Sequence, residues 1–268
     1  MQVSAQEKDA ITIVKKMFEA IDQSNFISFD FYSEERFGSH TQKNKSTVKL
    51  SVDPKKVYIK MVEPNQGTEL LYNPDLFGNS KVYINPNLIL SPNLKLDVKS
   101  RLITRNQHHG IGNIGFVFLK EIIETAFNKG EGHLNEIFYL HDDVVFDNKE
   151  CLVLEIKDPS YTTKTYRVKP NEDVFDIAKA QKISEYSIVE LNEGVGSLYD
   201  LSEGQEIIIP TSYAPTTIFY IDKENYLPLM QEMSDSYGMF ERYEFNNLKV
   251  LDGFYSDEFS PDFKGYNF

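Results

Sequence analysis

Tyr166–Asn192 reads YRVKPNEDVFDIAKAQKISEYSIVELN, and Glu193–Pro210 continues it as EGVGSLYDLSEGQEIIIP. Within this stretch Tyr166–Lys169 has the look of a short strand. Asp173 is a helix N-cap for VFDIAKAQ, with Asp176 three residues on as its acidic capping partner. Val174, Ile177 and Ala178 face inward, Ser184 caps a second helix with Ile188 and Leu191 as its apolar pair, and Ile207 and Ile209 share one face of a closing strand. The order is strand, helix, helix, strand. A core this small is marginal alone, and a clamp at both ends would help it.

The flanks follow a different rule. A first helix is expected in AQEKDAITIVKKMFEAIDQ, where Ala10, Val14, Met17, Phe18 and Ile21 recur at helical spacing. Then the period becomes two: FISFDFYSEERF, STVKLSVD, KKVYIKMVE, GTELLYN and KVYINP read as strands broken by Pro, Asn and Gly. GIGNIGFVFLKEIIETAFNKG is a second helix, with Phe118, Ile122, Ile123 and Ala126 inward and Gly130 as its stop. Strands resume at NEIFYLHDD and KECLVLEIKD, then again after Pro210 at TTIFYID, PLMQEMSDS and MFERYEFNNLKVL. One-sided alternation means an antiparallel sheet with one apolar face. The expected organisation is therefore 1–162 and 213–268 as one α+β domain, with 163–212 inserted at an exposed hairpin tip.

Tyr-x-Val-x-Pro, Val-Phe-x-Ile-Ala, Ile-Ser, Ile-x-x-Leu-Asn and Leu-x-x-Gly-Gln-x-Ile-x-Ile-Pro resemble a LysM domain over Tyr166–Pro210. That resemblance implies a βααβ module that binds N-acetylglucosamine glycans such as peptidoglycan. Its glycan-binding positions would be Asn171, Glu172, Asp173 and Val174, facing Gly194, Val195, Gly196 and Ser197. The chain departs from the family at the turn, where Asn171-Glu172-Asp173-Val174 replaces Gly-Asp-Thr-Leu; Asn tolerates the left-handed backbone that Gly supplies. Four Lys or Arg against nine Asp or Glu give the segment about −5, which does not favour an anionic glycan. A sugar-binding module and a spacer or protein contact both remain open on these residues.

The rest, roughly 5–159 and 216–268, resembles the lipoprotein-carrier fold of LolA and LolB in element order, in PKKVYIKMVEPNQGTELLY and in the tail. That implies a curved antiparallel half-barrel with covering helices in a bacterial envelope protein, periplasmic once exported. The polar start MQVSAQEKDA fits a mature chain after signal removal. The cavity of such a half-barrel would be lined by Val48, Leu50, Val57, Ile59, Met61, Leu70 and Tyr72, with Phe116, Phe118, Leu119 and Ile122 as the lid. It would take a lipid, lipoprotein acyl chain or other amphipathic ligand. With 19 Phe and 16 Tyr, a barrel filled by its own aromatics is the alternative.

Composition narrows the chemistry. A net charge of −13 over 268 residues repels nucleic acid and anionic headgroups. No apolar run reaches the ~18 residues of a membrane span. Cys151, the single cysteine, reads as a buried thiol. His108 and His109 are adjacent and expected to point apart, His133 and His141 lack metal-ligand spacing, and His141-Asp142-Asp143 reads as a turn. Glu34-Glu35-Arg36 reads as a solvated or salt-bridged strand end. No catalytic motif, metal site or cofactor site is expected, so the chain reads as a non-enzymatic binding protein. A cell-wall enzyme is the outlying alternative, to be signalled by a cleft with raised-pKa carboxylates.

Overall fold

A computed structural model describes residues 5–130, 132–195, 198 and 200–268. Helix α1, Ala5–Gln23, buries Ala10, Ile13, Val14, Met17 and Ile21 along one stripe. The strands β1 (Phe26–Phe37), β2 (His40–Ser51), β3 (Lys56–Glu63) and β4 (Glu69–Tyr72) follow as antiparallel neighbours. A short helix α2 (Pro74–Phe77), capped by the Asn73 side chain, leads to β5 (Lys81–Asn85) and β6 (Leu94–Asp97). Beyond a single turn α3 (Arg101–Thr104) lies helix α4 (Val117–Lys129), stopped at Gly130 as expected. Next come β7 (Phe138–Phe146), β8 (Lys149–Lys157) and β9 (Thr163–Arg167), then helices α5 (Val174–Gln181) and α6 (Glu185–Leu191). The chain closes through β10 (Glu206–Pro210), β11 (Thr216–Asp222), β12 (Pro228–Asp235) and β13 (Gly238–Val250).

Among the described residues the strands form an 11-stranded antiparallel sheet, β6-β5-β4-β3-β2-β1-β13-β12-β11-β8-β7, and a two-stranded one, β10-β9. The large sheet is open: β6 and β7 are its two edges. It also curls. Leu70 on β4 and Met233 on β12 line one cavity, although five strand steps separate them. On a flat sheet those steps would span ~24 Å. The concave face holds α4, with Leu119 and Ile123 buried, and α1 packs on β7 and α4. The architecture is thus the expected α+β curved, open antiparallel sheet with covering helices.

The convex face carries a feature that the alternation pattern missed. The tail beyond β13 folds back, and Phe254, Phe259, Tyr266 and Phe268 pack with Tyr58, Leu71 and Tyr83. Tyr266 stacks on Tyr58 with centroids 3.7 Å apart. Strands β3 to β5 are therefore covered on both sides, which is why Leu70 and Leu71 are both apolar.

Strand β8 pairs directly with β11, with Lys157 opposite Thr216, so the small sheet leaves the large one at the end of that hairpin. Thr163 pairs with Pro210, and the Thr211 N–H donates to the Thr162 carbonyl at 2.9 Å. The two connecting strands therefore leave side by side. The small core is aliphatic: Val168, Val174, Ile177, Ala178, Ile183, Ile188, Ile207 and Ile209. Asp173 and Asp176 form the expected capping box on α5, and the Ser184 hydroxyl accepts from the Tyr186 N–H at the start of α6. Asn171 has φ +58°, the left-handed value that the turn demands. Leu191 is a correction: it is 38% exposed and belongs to no core, because α6 ends there.

Candidate functional site

The concave wall changes character along its length. On β1 the inward positions run Ile27, Phe29, Phe31, Ser33, Glu35. On β13 Phe245 lies opposite Phe31, Tyr243 opposite Ser33 and Glu241 opposite Glu35. Register thus gathers aromatics toward one end and polar side chains toward the other, where the small domain joins. Between the wall and α4 lies a cavity of about 150 Å³. Its apolar walls come from Phe31, Ile59, Leu70, Phe118, Leu119 and Ile122, and its polar end from Glu35, Asn44, His109, Tyr213, Gln231 and Tyr243.

A buried hydrogen-bonded cluster closes the polar end. His108 Nδ1 lies 2.9 Å from Glu241 Oε2, and its Nε2 donates to the Arg36 carbonyl at 2.8 Å. His109 Nδ1 lies 2.9 Å from Glu185 Oε2, and its Nε2 lies 2.5 Å from Tyr213 Oη. The Tyr213 hydroxyl in turn donates to Glu241. Tyr243 Oη donates to Glu35 Oε1 at 2.5 Å. Burial disfavours a charged His109, but the carboxylates of Glu241 and Glu185 outweigh it and hold the imidazole well above its usual value. Burial likewise pushes Glu241 up, yet both histidines reverse this and hold it far below the carboxylate range. For Glu35 burial wins: its carboxyl sits above the usual value, with His108 and the Tyr243 hydrogen bond offsetting only part of the shift.

The small domain is part of this end. Glu185 comes from α6, and Tyr186 stacks on the His108 ring at 4.7 Å. Arg36 holds Asp235 with both guanidinium nitrogens, at 2.9 and 2.6 Å, and reaches Glu190 of α6 at 3.2 Å. Lys182 pairs with Glu121 of α4. At the opposite lip Lys99 pairs with Asp173 at 2.6 Å, and Arg101 with Asp200 at 3.7 Å.

Of the anticipated cavity residues, Ile59, Met61, Leu70, Phe118, Leu119 and Ile122 line the cavity. Val48, Leu50, Val57 and Phe116 are packed in the core behind it, and Tyr72 is half-buried with its hydroxyl on the Asn79 carbonyl at 3.1 Å. The anticipated glycan positions fare differently. Asn171 and Gly194 are exposed, while Val174 is fully buried and Val195 is 3% exposed, so neither valine side chain faces a groove. Asp173 is spent on its cap and on Lys99, and Glu172 accepts from Tyr166 Oη and the Lys169 N–H. Gly196 and Ser197 lie outside the described residues.

Three readings of the polar residues are corrected. His108 and His109 do not diverge: they sit in an irregular bend, not a strand, and both meet Glu241. Glu35 is 3% exposed, no solvated strand end, although Arg36 and Glu34 are salt-bridged as expected. His141-Asp142-Asp143 lies at a register shift within β7, where His141 pairs with Glu155. The clue to Glu35 was its parity with Ile27, Phe29 and Phe31; nothing local pointed to its partners. Cys151 is buried and free, and burial pushes its thiol up. Among the described residues no His, Cys, Asp and Glu group has metal-holding geometry, and no helix is long and apolar enough to cross a membrane.

The family model described as "Protein of unknown function (DUF1571)" matches residues 28–186, and the LysM domain model matches residues 166–210. No curated protein matches the chain. Among solved structures, a DUF1329 family protein from Desulfovibrio piger is 11% identical, covering 96% of this chain and 98% of its own, at a TM-score of 0.36. A putative outer membrane lipoprotein-sorting protein domain from Vibrio parahaemolyticus is 11% identical, with coverages of 95% and 97% and a TM-score of 0.36. The lipoprotein LppX of Mycobacterium tuberculosis is 7% identical, with coverages of 92% and 98% and a TM-score of 0.41. These likenesses are faint, and the architecture rests on the strand order itself.

Proposed function

The chain belongs to the family described as "Protein of unknown function (DUF1571)", and from its own geometry we propose that it is a non-enzymatic, exported envelope protein that binds an amphipathic ligand in its half-barrel. The observation that carries this reading is the cavity between the concave wall and α4, apolar at one end and polar at the other. An apolar cavity of this size takes a molecule such as benzene. It therefore seats about six carbons, worth ~5 kcal/mol at ~0.8 kcal/mol per methylene. A lipid or lipoprotein acyl chain would insert its end there, and a longer stretch would need α4 to shift. The LysM domain of residues 166–210 we assign to peptidoglycan attachment in the periplasm, through the exposed turn at Asn171. The division into 1–162 and 213–268 with 163–212 inserted is part of this proposal, supported by the direct pairing of β8 with β11.

A cell-wall hydrolase draws support from one observation, the buried Glu35 carboxyl held above its usual value. Glycoside hydrolysis needs a second carboxylate across the substrate. Glu241, the nearest one on the wall, is fully buried and engaged by both histidines. Binding is the reading the geometry favours.

Native mass spectrometry of protein exported in a Gram-negative host tests it. A discrete added mass matching a lipid, lost on delipidation, is the expected result. An unchanged apo mass after incubation with lipids and lipopeptides would overturn the half-barrel assignment and leave the LysM domain as the working part.

A further inference from the structure

Two polar atoms of the cavity are unused. Glu35 is 3% exposed and Gln231 7% exposed, and both side chains line the cavity. Glu35 Oε2 and Gln231 Oε1 have no hydrogen-bond partner. Their neighbours are already committed. Glu35 Oε1 accepts from Tyr243, Glu241 faces His108 and Tyr213, and Glu185 faces His109 and Asn113. Arg36 is held by Asp235 and Glu190. Leaving buried polar atoms without partners costs free energy that a native structure seldom concedes without a reason.

Both unused atoms are oxygens, and so the site calls for a donor. An ammonium has three donors and no acceptor, which suits the two unpaired oxygens, the Glu35 carboxylate once ionised and the Gln231 amide carbonyl. A hydroxyl supplies one donor for two oxygens, and a carboxylate or phosphate head supplies none. The local balance agrees: the Glu241 and Glu185 carboxylates flank the charged His109, and the Glu35 carboxyl is buried close to them. We propose that the cavity binds a compact amphiphile with a primary ammonium head, the head hydrogen-bonded to Glu35 and Gln231 and the tail lying under α4. This rests on the half-barrel binding reading and names its ligand class.

The proposal carries a proton signature. Burial holds the Glu35 carboxyl above its usual range, and a cation against it favours the ionised form. The groups facing Glu35 are Tyr243 and Glu241 from β13, His108 and His109 from the bend before α4, and Tyr213 from the segment after β10. Ammonium binding therefore expels a proton from Glu35, and affinity rises with pH until Glu35 is ionised in the unliganded protein.

Calorimetric titration of the full chain with hexylamine, 1-hexanol and hexanoate, run in two buffers of different ionisation enthalpy, tests this. Hexylammonium is expected to bind at least about tenfold tighter than hexanol, since a charge-assisted hydrogen bond is roughly twice as strong as a neutral one. Hexanoate is expected not to bind. Hexylammonium binding should release protons at a pH where Glu35 is still protonated in the unliganded protein, and Glu35→Gln should abolish that release and bring hexylammonium down to about the hexanol level. Should Glu35→Gln fail to fold by circular dichroism, Gln231→Leu is expected to weaken hexylammonium by a smaller factor in the same direction. Equal binding of hexanol and hexylammonium, or stronger binding of hexanoate, overturns the ammonium assignment and leaves the half-barrel reading standing. Binding of none of the three overturns the ammonium assignment too; if the exported protein also carries no lipid, the half-barrel reading falls with it.

Discussion

The two cores of this molecule are built on opposite plans. The small one, Val168 to Ile209, is wholly aliphatic at its centre and carries its polar chemistry on its rim, in the Asp173–Asp176 box and the Ser184 cap. The large one stacks aromatics such as Phe29, Phe31, Phe116 and Phe245 and then gives way to buried Glu35, Glu241, His108 and His109. The difference follows from size. A domain of some 45 residues buries too little apolar surface to support interior charge. A curled sheet of eleven strands can carry a buried polar end, and that is where its side chains fail to fill the interior.

The sharpest way to break the contrast is Val174→Asp. Val174 is fully buried, so a carboxylate there should cost at least about 4 kcal/mol and unfold the small domain. Proteolysis is expected to cut between Thr163 and Pro210 while the large sheet stays intact. Simultaneous loss of both would mean that α6, through Glu185 and Tyr186, makes one folding unit of the two.

Glu241→Gln probes the other plan. Removing one partner of a buried ionic cluster should cost about 3 kcal/mol. The pH dependence of the wild-type minus variant difference identifies the cause. His109 is held well above its usual 6.5, so its contribution is complete below that pH and is lost as pH rises through the raised value. Glu241 is depressed below its usual 4.5, so its contribution is present above that pH and lost as pH falls. Glu35 is raised above 4.5, so its effect on stability declines as pH rises past that value. The cluster should therefore stabilise most near pH 4.5, lose the Glu35 part as pH rises above that value and lose the His109 part above 6.5. A difference in melting temperature that is flat with pH would show that Glu241 serves by shape alone.

The smallest effects belong to the rim. Asp173→Ala removes the α5 cap and should cost about 1 kcal/mol. Lys99→Ala removes exposed contacts, the pairs with Asp173 and Asp176 and the approach to the Phe175 ring, and should cost under about 1 kcal/mol. If the lysine variant proves the more damaging in chemical denaturation, the small domain leans on the large one more than on its own caps.

Much of this was legible in the residues. The strands other than β6, both long helices, the capping box and the left-handed Asn171 follow from period, caps and turn chemistry, which are local properties; the short β6, α2 and α3 carry too few residues for a period and were not read. The cavity was half legible. Alternation placed Ile59, Met61, Leu70 and the α4 residues inward, but could not tell Val48, Leu50 and Val57, packed solid, from the residues that border open space. Helix pattern read Val174 inward, where it lies, while the motif also put it on a groove, because a motif gives a position and not the direction of its side chain. His108 and His109 were read as diverging because neighbours on a regular element do so, and they lie on none.

What the sequence determined by itself, then, is the inventory: an α+β chain of alternating strands, interrupted by a LysM domain with its own caps and core. Those features depend on neighbours within a few residues. What only the tertiary structure decided is the polar end of the cavity. Glu35, His109, Glu185, Tyr213, Gln231 and Glu241 come from six separate segments, brought together when the sheet curls and α6 docks. The shifted protonation of Glu35, His109, Tyr213 and Glu241 and the unpaired oxygens of Glu35 and Gln231 arise from burial among one another, a property that belongs to no stretch of the chain.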